Sequence, residues 1–184
     1  MYFFQGEWHP TVTEDAVLGF FKEYRFLSNF QMSYCQCSDD MGFRYPSVEH
    51  FYQAQKTLDK ELRKSFAYTE LEDSPFNEEV KFKSPEFETP GQAKRAGGQL
   101  SLREDWDQVK LSVMRDGLFQ KFDDPQLKNW LLATGHTYLE ETNYWGDKFW
   151  GVHNGKGKNE LGRLLIEVRT ALQWDDYTEG LKEE

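Results

Sequence analysis

The chain has 184 residues, with 22 Lys and Arg against 32 Asp and Glu, a net charge of −10. That length buries a core without disulfides, and an aromatic content of 16% excludes a disordered chain. The acid excess excludes a general nucleic-acid binder, since phosphate affinity comes from Lys and Arg, but it leaves room for a local basic pocket.

Along the chain, no stretch approaches the roughly 18 apolar residues of a membrane helix. Met1 to Pro10 lacks a basic start followed by an apolar run, so a soluble cytoplasmic protein is expected, or a nuclear one in a eukaryote. Val17 to Tyr24 reads as a strand, broken by FLSNF at 26–30. Gly42 to Pro46 reads as a short strand or turn before a helix. Ser47 is a good N-cap for that helix, and Val48, Phe51, Tyr52 and Leu58 mark its apolar face, with Gln55 the polar exception. His50 sits at the third helical position, where packing or capping is its expected role. Cys35 and Cys37 have no second ligand pair and too short a spacing for a relaxed disulfide, so reduced thiols are expected. The four histidines are scattered and spell out no zinc site.

Thr69 to Pro90 carries three prolines and many acids and reads as a solvated insertion, with one short strand at VKFK. Gly91 to Gly98 opens or closes a helix. Helices are expected over Trp106 to Phe122, over Asp124 to Thr134 with Pro125 in the first turn, and over Asn159 to Leu172. A short strand is expected at Thr137 to Glu141, and the last ten residues read as frayed. The order gives a single, mostly helical α+β domain with a few short strands, its core at about 17–173.

Three segments can hold chemistry. In YPSVEHFYQAQK (45–56), Glu49 and Lys56 are seven positions apart, two turns on one helix face. They suit an ion pair, or an acid/base group beside a nucleophile. In NYWGDKFWGVHNGKGKNELG (143–162), Gly155 and Gly157 let backbone N–H groups turn toward an anion at a helix start, with Lys156 and Lys158 adding charge. The plain alternative is a glycine-rich turn packed by tryptophans. In AKRAG (93–97), Lys94 and Arg95 suit a phosphate, or form a solvated basic patch.

Together, FLSNF, YPSVEHFYQAQK, AKRAG and D-x-x-W-G followed by GKGKNELG resemble the NADAR family of YbiA-like N-glycosidases, from about residue 17 to residue 173. The resemblance implies cleavage of N-glycosidic bonds to ribose. One branch acts on early ribosylamino intermediates of riboflavin synthesis, and another removes ADP-ribose from guanine in nucleic acid. It carries over Glu49 as the essential glutamate, Lys56 as the lysine closing the motif, Asp147 and Trp150 as the D-x-x-W pair, and Asn29 as the asparagine of the S-N-F turn. Two differences from compact bacterial members stand out: the acidic insertion at 69–90, and the Val152-His153-Asn154 run, one residue shorter and less acidic.

The expected mechanism needs a carboxylate at the anomeric carbon, where positive charge builds as the bond breaks. Glu49 fills that role, with Asp147 as partner. In a second version the opened sugar forms a Schiff base with Lys56, whose pKa burial would lower, and Glu49 shuttles the proton. The expected binding residues are Asn29, Lys94, Arg95, Gly151, Gly155, Gly157 and Asn159, with Trp106 or Trp150 stacking on a ring. No cofactor or metal is expected. The preferred substrate is ADP-ribosylated guanine in single-stranded DNA or RNA, and the runner-up a ribosylamino-pyrimidine phosphate. A non-catalytic ADP-ribose reader would need neither Glu49 nor Lys56, and an acidic scaffold docking through the insertion ranks last.

Overall fold

The computed structural model describes residues 1–33, 36–70 and 82–180. In chain order its elements are β1 (Tyr2–Phe4), β2 (Glu7–His9), β3 (Thr11–Val12), β4 (Ala16–Leu18), a 3-10 helix (Lys22–Leu27), β5 (Cys37–Ser38) and β6 (Arg44–Tyr45). There follow α1 (Val48–Ala54), α2 (Lys60–Lys64), β7 (Thr69–Glu70), β8 (Phe82–Lys83), α3 (Pro90–Gly97), α4 (Trp106–Lys121), α5 (Pro125–Ala133), β9 (Tyr138–Glu140) and α6 (Glu160–Gly180). Helices and small sheets make this an α+β fold. Two compact units emerge, one of Met1–Ser28 with Phe122–Glu184 and one of Asn29–Lys121. No helix among the described residues is long and apolar enough to cross a membrane.

In the first unit, Gln5 and Gly6 both take positive φ, which suits the tight turn joining antiparallel β1 and β2. A three-stranded sheet has the order β3-β4-β9, with β4 and β9 parallel. Its central residues Val17 and Leu139 are buried with Leu161, Leu164, Leu165 and Val168, one face of α6 at helical spacing. Each such side chain contributes about 1.5–3 kcal/mol. Arg169 is buried beside them and donates to Thr134 Oγ1 and the Thr137 carbonyl, tying α6 to the end of α5.

Two expectations need correction here. The strand expected over Val17–Tyr24 stops at Leu18, because Gly19 (φ +89°) turns the chain and a 3-10 helix follows. The last helix runs on to Gly180, so residues 175–180 are helical and not frayed; 181–184 lie outside the described residues.

The second unit is built round α1, all seven of whose residues are buried. The α4 helix approaches α1 at Gly117, where a Cβ would stand 2.9 Å from Phe51. The α3 helix begins at Thr89, which forms a reciprocal capping box with Gln92. The expected helix to Leu58 ends at Ala54; Gln55 caps it, and the Lys56 N–H bonds back to the Gln53 carbonyl. Lys56 therefore lies past the helix, not two turns along it. Only Phe82–Lys83 of the VKFK stretch is described as strand, paired with β7, and residues 71–81 of the insertion lie outside the described residues.

Sequence reading missed α2 and the buried brace beside it. Asp39 accepts from Met41 N, Phe43 N, Tyr45 Oη and Gln55 Nε2, and pairs with Arg63 at 3.3 Å. Burial pushes the Tyr45 phenol up, and its hydrogen bond to Asp39 adds to the rise. The Cys37 thiol is free and buried, pushed up to about 12 by desolvation; Cys35 lies outside the described residues.

Candidate active site

Ser47 starts the helix that carries the candidate carboxylate. Its Oγ accepts from the His50 N–H at 3.2 Å and lies 2.7 Å from His50 Nδ1. His50 Nε2 lies 2.7 Å from the Phe87 carbonyl, which can only accept, so Nε2 carries the hydrogen and Nδ1 accepts from the serine hydroxyl. Burial lowers the His50 pKa. The imidazole is a neutral strut locked at both ends.

Glu49 is one residue earlier and 6% exposed. Its backbone N–H donates to the Asn29 carbonyl, so the S-N-F turn is tied to the first turn of α1. Its Oε1 accepts from Gln53 Nε2 at 2.7 Å. The Lys56 ammonium is half-buried, donates to the Gly97 carbonyl at 3.1 Å and lies 5.8 Å over the Tyr52 ring. Burial lowers the Lys56 pKa, the Glu49 charge opposes the fall, and the Lys94 charge adds to it. Glu49, Lys56 and Lys94 thus form one electrostatic cluster on α1, the turn after it, and α3.

The other expected residues of this unit differ in exposure. Lys94 and Arg95 are exposed on α3, with the Lys94 ammonium 5.7 Å over the Phe30 ring. Asn29 is buried and donates to the Met114 sulfur. Trp106 is 5% exposed and packs 5.0 Å from Tyr52. That burial makes it part of the core of this unit.

In the first unit, the loop from Asn143 to Asn159 uses its polar groups on itself. The Asn143 amide donates to the Asp147 and Val152 carbonyls and accepts from Gly146 and Asp147 N–H. Asp147 Oδ1 accepts from Phe149 N and Trp150 N, both at 2.9 Å. The N–H groups of Lys156, Lys158, Glu160 and Leu161 donate to the carbonyls of His153, Lys148, Phe149 and Trp150. Those four donors around the start of α6 are therefore satisfied by the chain.

The glycines and Asn159 of this loop each have a structural use. A Cβ at Gly157 would collide with the Gly151 carbonyl, and one at Gly151 with the Glu141 carbonyl, so both glycines serve close backbone approach. Gly155 supplies a positive φ of +70°. The buried Asn159 amide accepts from Glu141 N and donates to the Leu139 carbonyl and Tyr138 Oη, which leaves it no polar atom for a ligand. Lys156 and Lys158 are exposed, and Trp150 is half-buried with its ring edge-on to Phe149.

Sequence reading passed over Gln53, although an i, i+4 glutamine behind a glutamate was visible. The Asp39–Arg63 brace was not, because its partners are 24 residues apart. Among the described residues, no three His, Cys, Asp or Glu side chains gather as metal ligands.

A NADAR domain model matches residues 8–173. The chain is 36% identical over 171 residues to the N-glycosidase YbiA of Escherichia coli K12, covering 88% of this chain and 91% of that one. A riboflavin biosynthesis protein of Vibrio vulnificus is 36% identical over 155 residues, 83% of this chain and 36% of its own. The NMR structure of E. coli YbiA superposes with a TM-score of 0.70 at 32% identity, covering 90% of each chain. The match in family, length and fold makes this chain a member of the NADAR domain family and a hydrolase of N-glycosyl compounds.

Proposed function

We propose that the chain hydrolyses the bond between an exocyclic nitrogen and the anomeric carbon of a ribose, and that its substrate is guanine carrying ADP-ribose in single-stranded or flipped-out nucleic acid. The observation that carries this reading is the lowered Lys56 amine beside the buried Glu49 carboxylate. An amine that burial favours as neutral is a nucleophile, and a carboxylate beside it moves protons.

The lone pair of the exocyclic nitrogen expels the ring oxygen, which takes up a proton from solvent, and the sugar opens to a protonated imine between the anomeric carbon and the leaving nitrogen. The Lys56 nitrogen forms a bond to that carbon, and its proton passes through Glu49 to the base nitrogen. The carbon–base bond then breaks with its electron pair on that nitrogen. Water adds to the lysine Schiff base, and the sugar leaves as a free aldehyde that recloses. In the simpler course Glu49 takes a proton from water as it attacks the anomeric carbon directly, the carbon–base bond breaks with its electron pair on the nitrogen, and Glu49 passes that proton to the departing base. Lys94 and Arg95 on the exposed face of α3 suit the diphosphate.

A ribosylamino-pyrimidine phosphate is the second reading, favoured by the riboflavin biosynthesis proteins of Vibrio vulnificus and maize that match the same stretch of chain. It contains the same bond. Mass spectrometry of the protein incubated with each substrate decides between them. Free ADP-ribose released from an ADP-ribosyl-guanine oligonucleotide, and lost in Glu49→Ala, supports the first. Cleavage of the pyrimidine intermediate alone supports the second and overturns the nucleic-acid substrate.

A further inference from the structure

We infer that Gln53 is the positioning residue of this site: its amide holds the Glu49 carboxylate in place, and Gly97 is the wedge that sets both Glu49 and Lys56. The inference rests on the proposed roles of Glu49 and Lys56 and adds what holds them.

Gln53 is 4% exposed, one turn after Glu49 on α1. The Gln53 amide turns its NH2 toward Glu49, donating from Nε2 to Oε1 at 2.7 Å. That choice fixes where the amide oxygen goes. Gln53 Oε1 is buried and has no hydrogen-bond partner. A buried acceptor without a partner costs stability that an apolar side chain of the same shape would not, and such groups call for an explanation. Holding Glu49 is that explanation.

The oxygen is directed at Gly97, where a Cβ would collide with it and would stand only 2.7 Å from the Gln53 amide carbon. Glycine is thus required by close approach, at an ordinary helical φ. The carbonyl of the same residue accepts from the Lys56 ammonium at 3.1 Å. One residue of α3 therefore makes room for the side chain that orients the carboxylate and holds the amine. A shift of α3 would move both groups together.

The charges around Glu49 set what a titration should show. Lys56 faces it from the turn after α1, and Lys94 of α3 adds a second cation to the cluster. The α4 helix meets α1 through Gly117 against Val48 and Phe51, an apolar contact. His50 is committed to Ser47 and Phe87. From β5, β6 and α2 come Asp39, Tyr45 and Arg63, bonded to one another at the Gln55 end of α1.

The test is Gln53→Met, which keeps the length and removes the donor. The Glu49 side-chain carboxyl would be followed by carbon NMR through a pH titration in wild type and variant, with activity measured in parallel. The Glu49 titration should move to higher pH in the variant, because its charged form has lost a donor. In turnover, kcat should fall about tenfold, KM should change less than twofold, and the acid limb of the kcat profile should move the same way. Gln53→Glu is the second variant. The introduced carboxyl, while protonated, still donates to Glu49. Activity should therefore survive only while that new carboxyl is protonated and Glu49 is ionised, and collapse as the new carboxyl ionises, a loss on the alkaline side that Gln53→Met does not show. An unmoved Glu49 titration in Gln53→Met, or a fall in Tm with an unchanged pH profile in both variants, overturns the inference. If wild type cleaves no ribosyl substrate, the reading of function fails, while the titration still decides the role of Gln53.

Discussion

The segment from Ser47 to Lys56 and the loop from Asn143 to Asn159 carry similar residue types: a carboxylate, lysines, aromatic rings and amides. They use them in opposite ways. In the loop Asp147, Asn143 and Asn159 are bonded to backbone groups of the loop and its neighbours, and its glycines admit close backbone contacts. In the helix segment the polar side chains act on one another. Gln53 holds Glu49, Glu49 faces Lys56, and burial presses the Lys56 amine toward its neutral form. Polar groups spent on the backbone hold a turn, whereas a buried carboxylate and amine that feel each other's charge are poised for proton movement. Substitutions in the two segments should therefore fail differently, the helix segment losing rate and the loop losing stability.

The largest effect is expected at Glu49. Glu49→Gln keeps the shape and removes the base, so kcat for N-ribosyl cleavage should fall about 10³-fold while ligand affinity by calorimetry stays within a few-fold. Its Tm should hold or rise, since a buried carboxylate is expensive to keep. A variant with near-normal turnover would remove Glu49 from the mechanism.

Lys56 sharpens the same contrast. Lys56→Arg keeps a cation but cannot form a Schiff base, so it should lose on the order of 10²-fold in rate, as much as Lys56→Met. Borohydride added during turnover should trap a wild-type adduct on the peptide bearing Lys56, and none in either variant. The pH sign follows from the lowered pKa. The unfolded chain binds the proton more tightly than the fold does, so this residue's contribution makes stability rise with pH. That rise lies between the lowered folded value and the ordinary value of about 10.4. Lys56→Met should remove that rise from a series of chemical denaturations.

In the loop, Asn159→Ala deletes three bonds from a buried amide and places alanine at a φ of +54°. The cost should be about 2–4 kcal/mol, a fall in Tm of roughly 5–15 °C, with KM unchanged at temperatures where the fold persists. A raised KM with an unchanged Tm would restore Asn159 to the ligand.

What the sequence made legible was local. Ser47 and Asp124 each precede a helix that the structure shows, and each accepts a backbone N–H within its own first turn. The β1–β2 hairpin was not legible, because Tyr2, Phe3 and Phe4 are all exposed and leave no alternating pattern to read. Of the site, the residue types were legible and their commitments were not. Glycines that line a phosphate cradle and glycines that let two carbonyls pass look identical in GKGKN. Only the fold shows that Gly157 is pressed on the Gly151 carbonyl.

The smallest effect, and the finest test of the contrast, is expected at Asp147. Its Oδ1 caps the turn by accepting from Phe149 and Trp150 N–H, a bond that needs an oxygen and not a charge. Asparagine retains that oxygen. If Asp147 braces the loop, Asp147→Asn should stay within threefold of wild-type kcat and within about 0.5 kcal/mol of its stability. Asp147→Ala, which frees both N–H groups, should lose about 1–2 kcal/mol. A carboxylate that stabilised charge at the anomeric carbon would give the reverse pattern, with Asp147→Asn losing rate by about 10²-fold or more at unchanged Tm. One pair of variants, read in both rate and melting temperature, thus decides whether this loop lends its aspartate to the chemistry or keeps it for the turn.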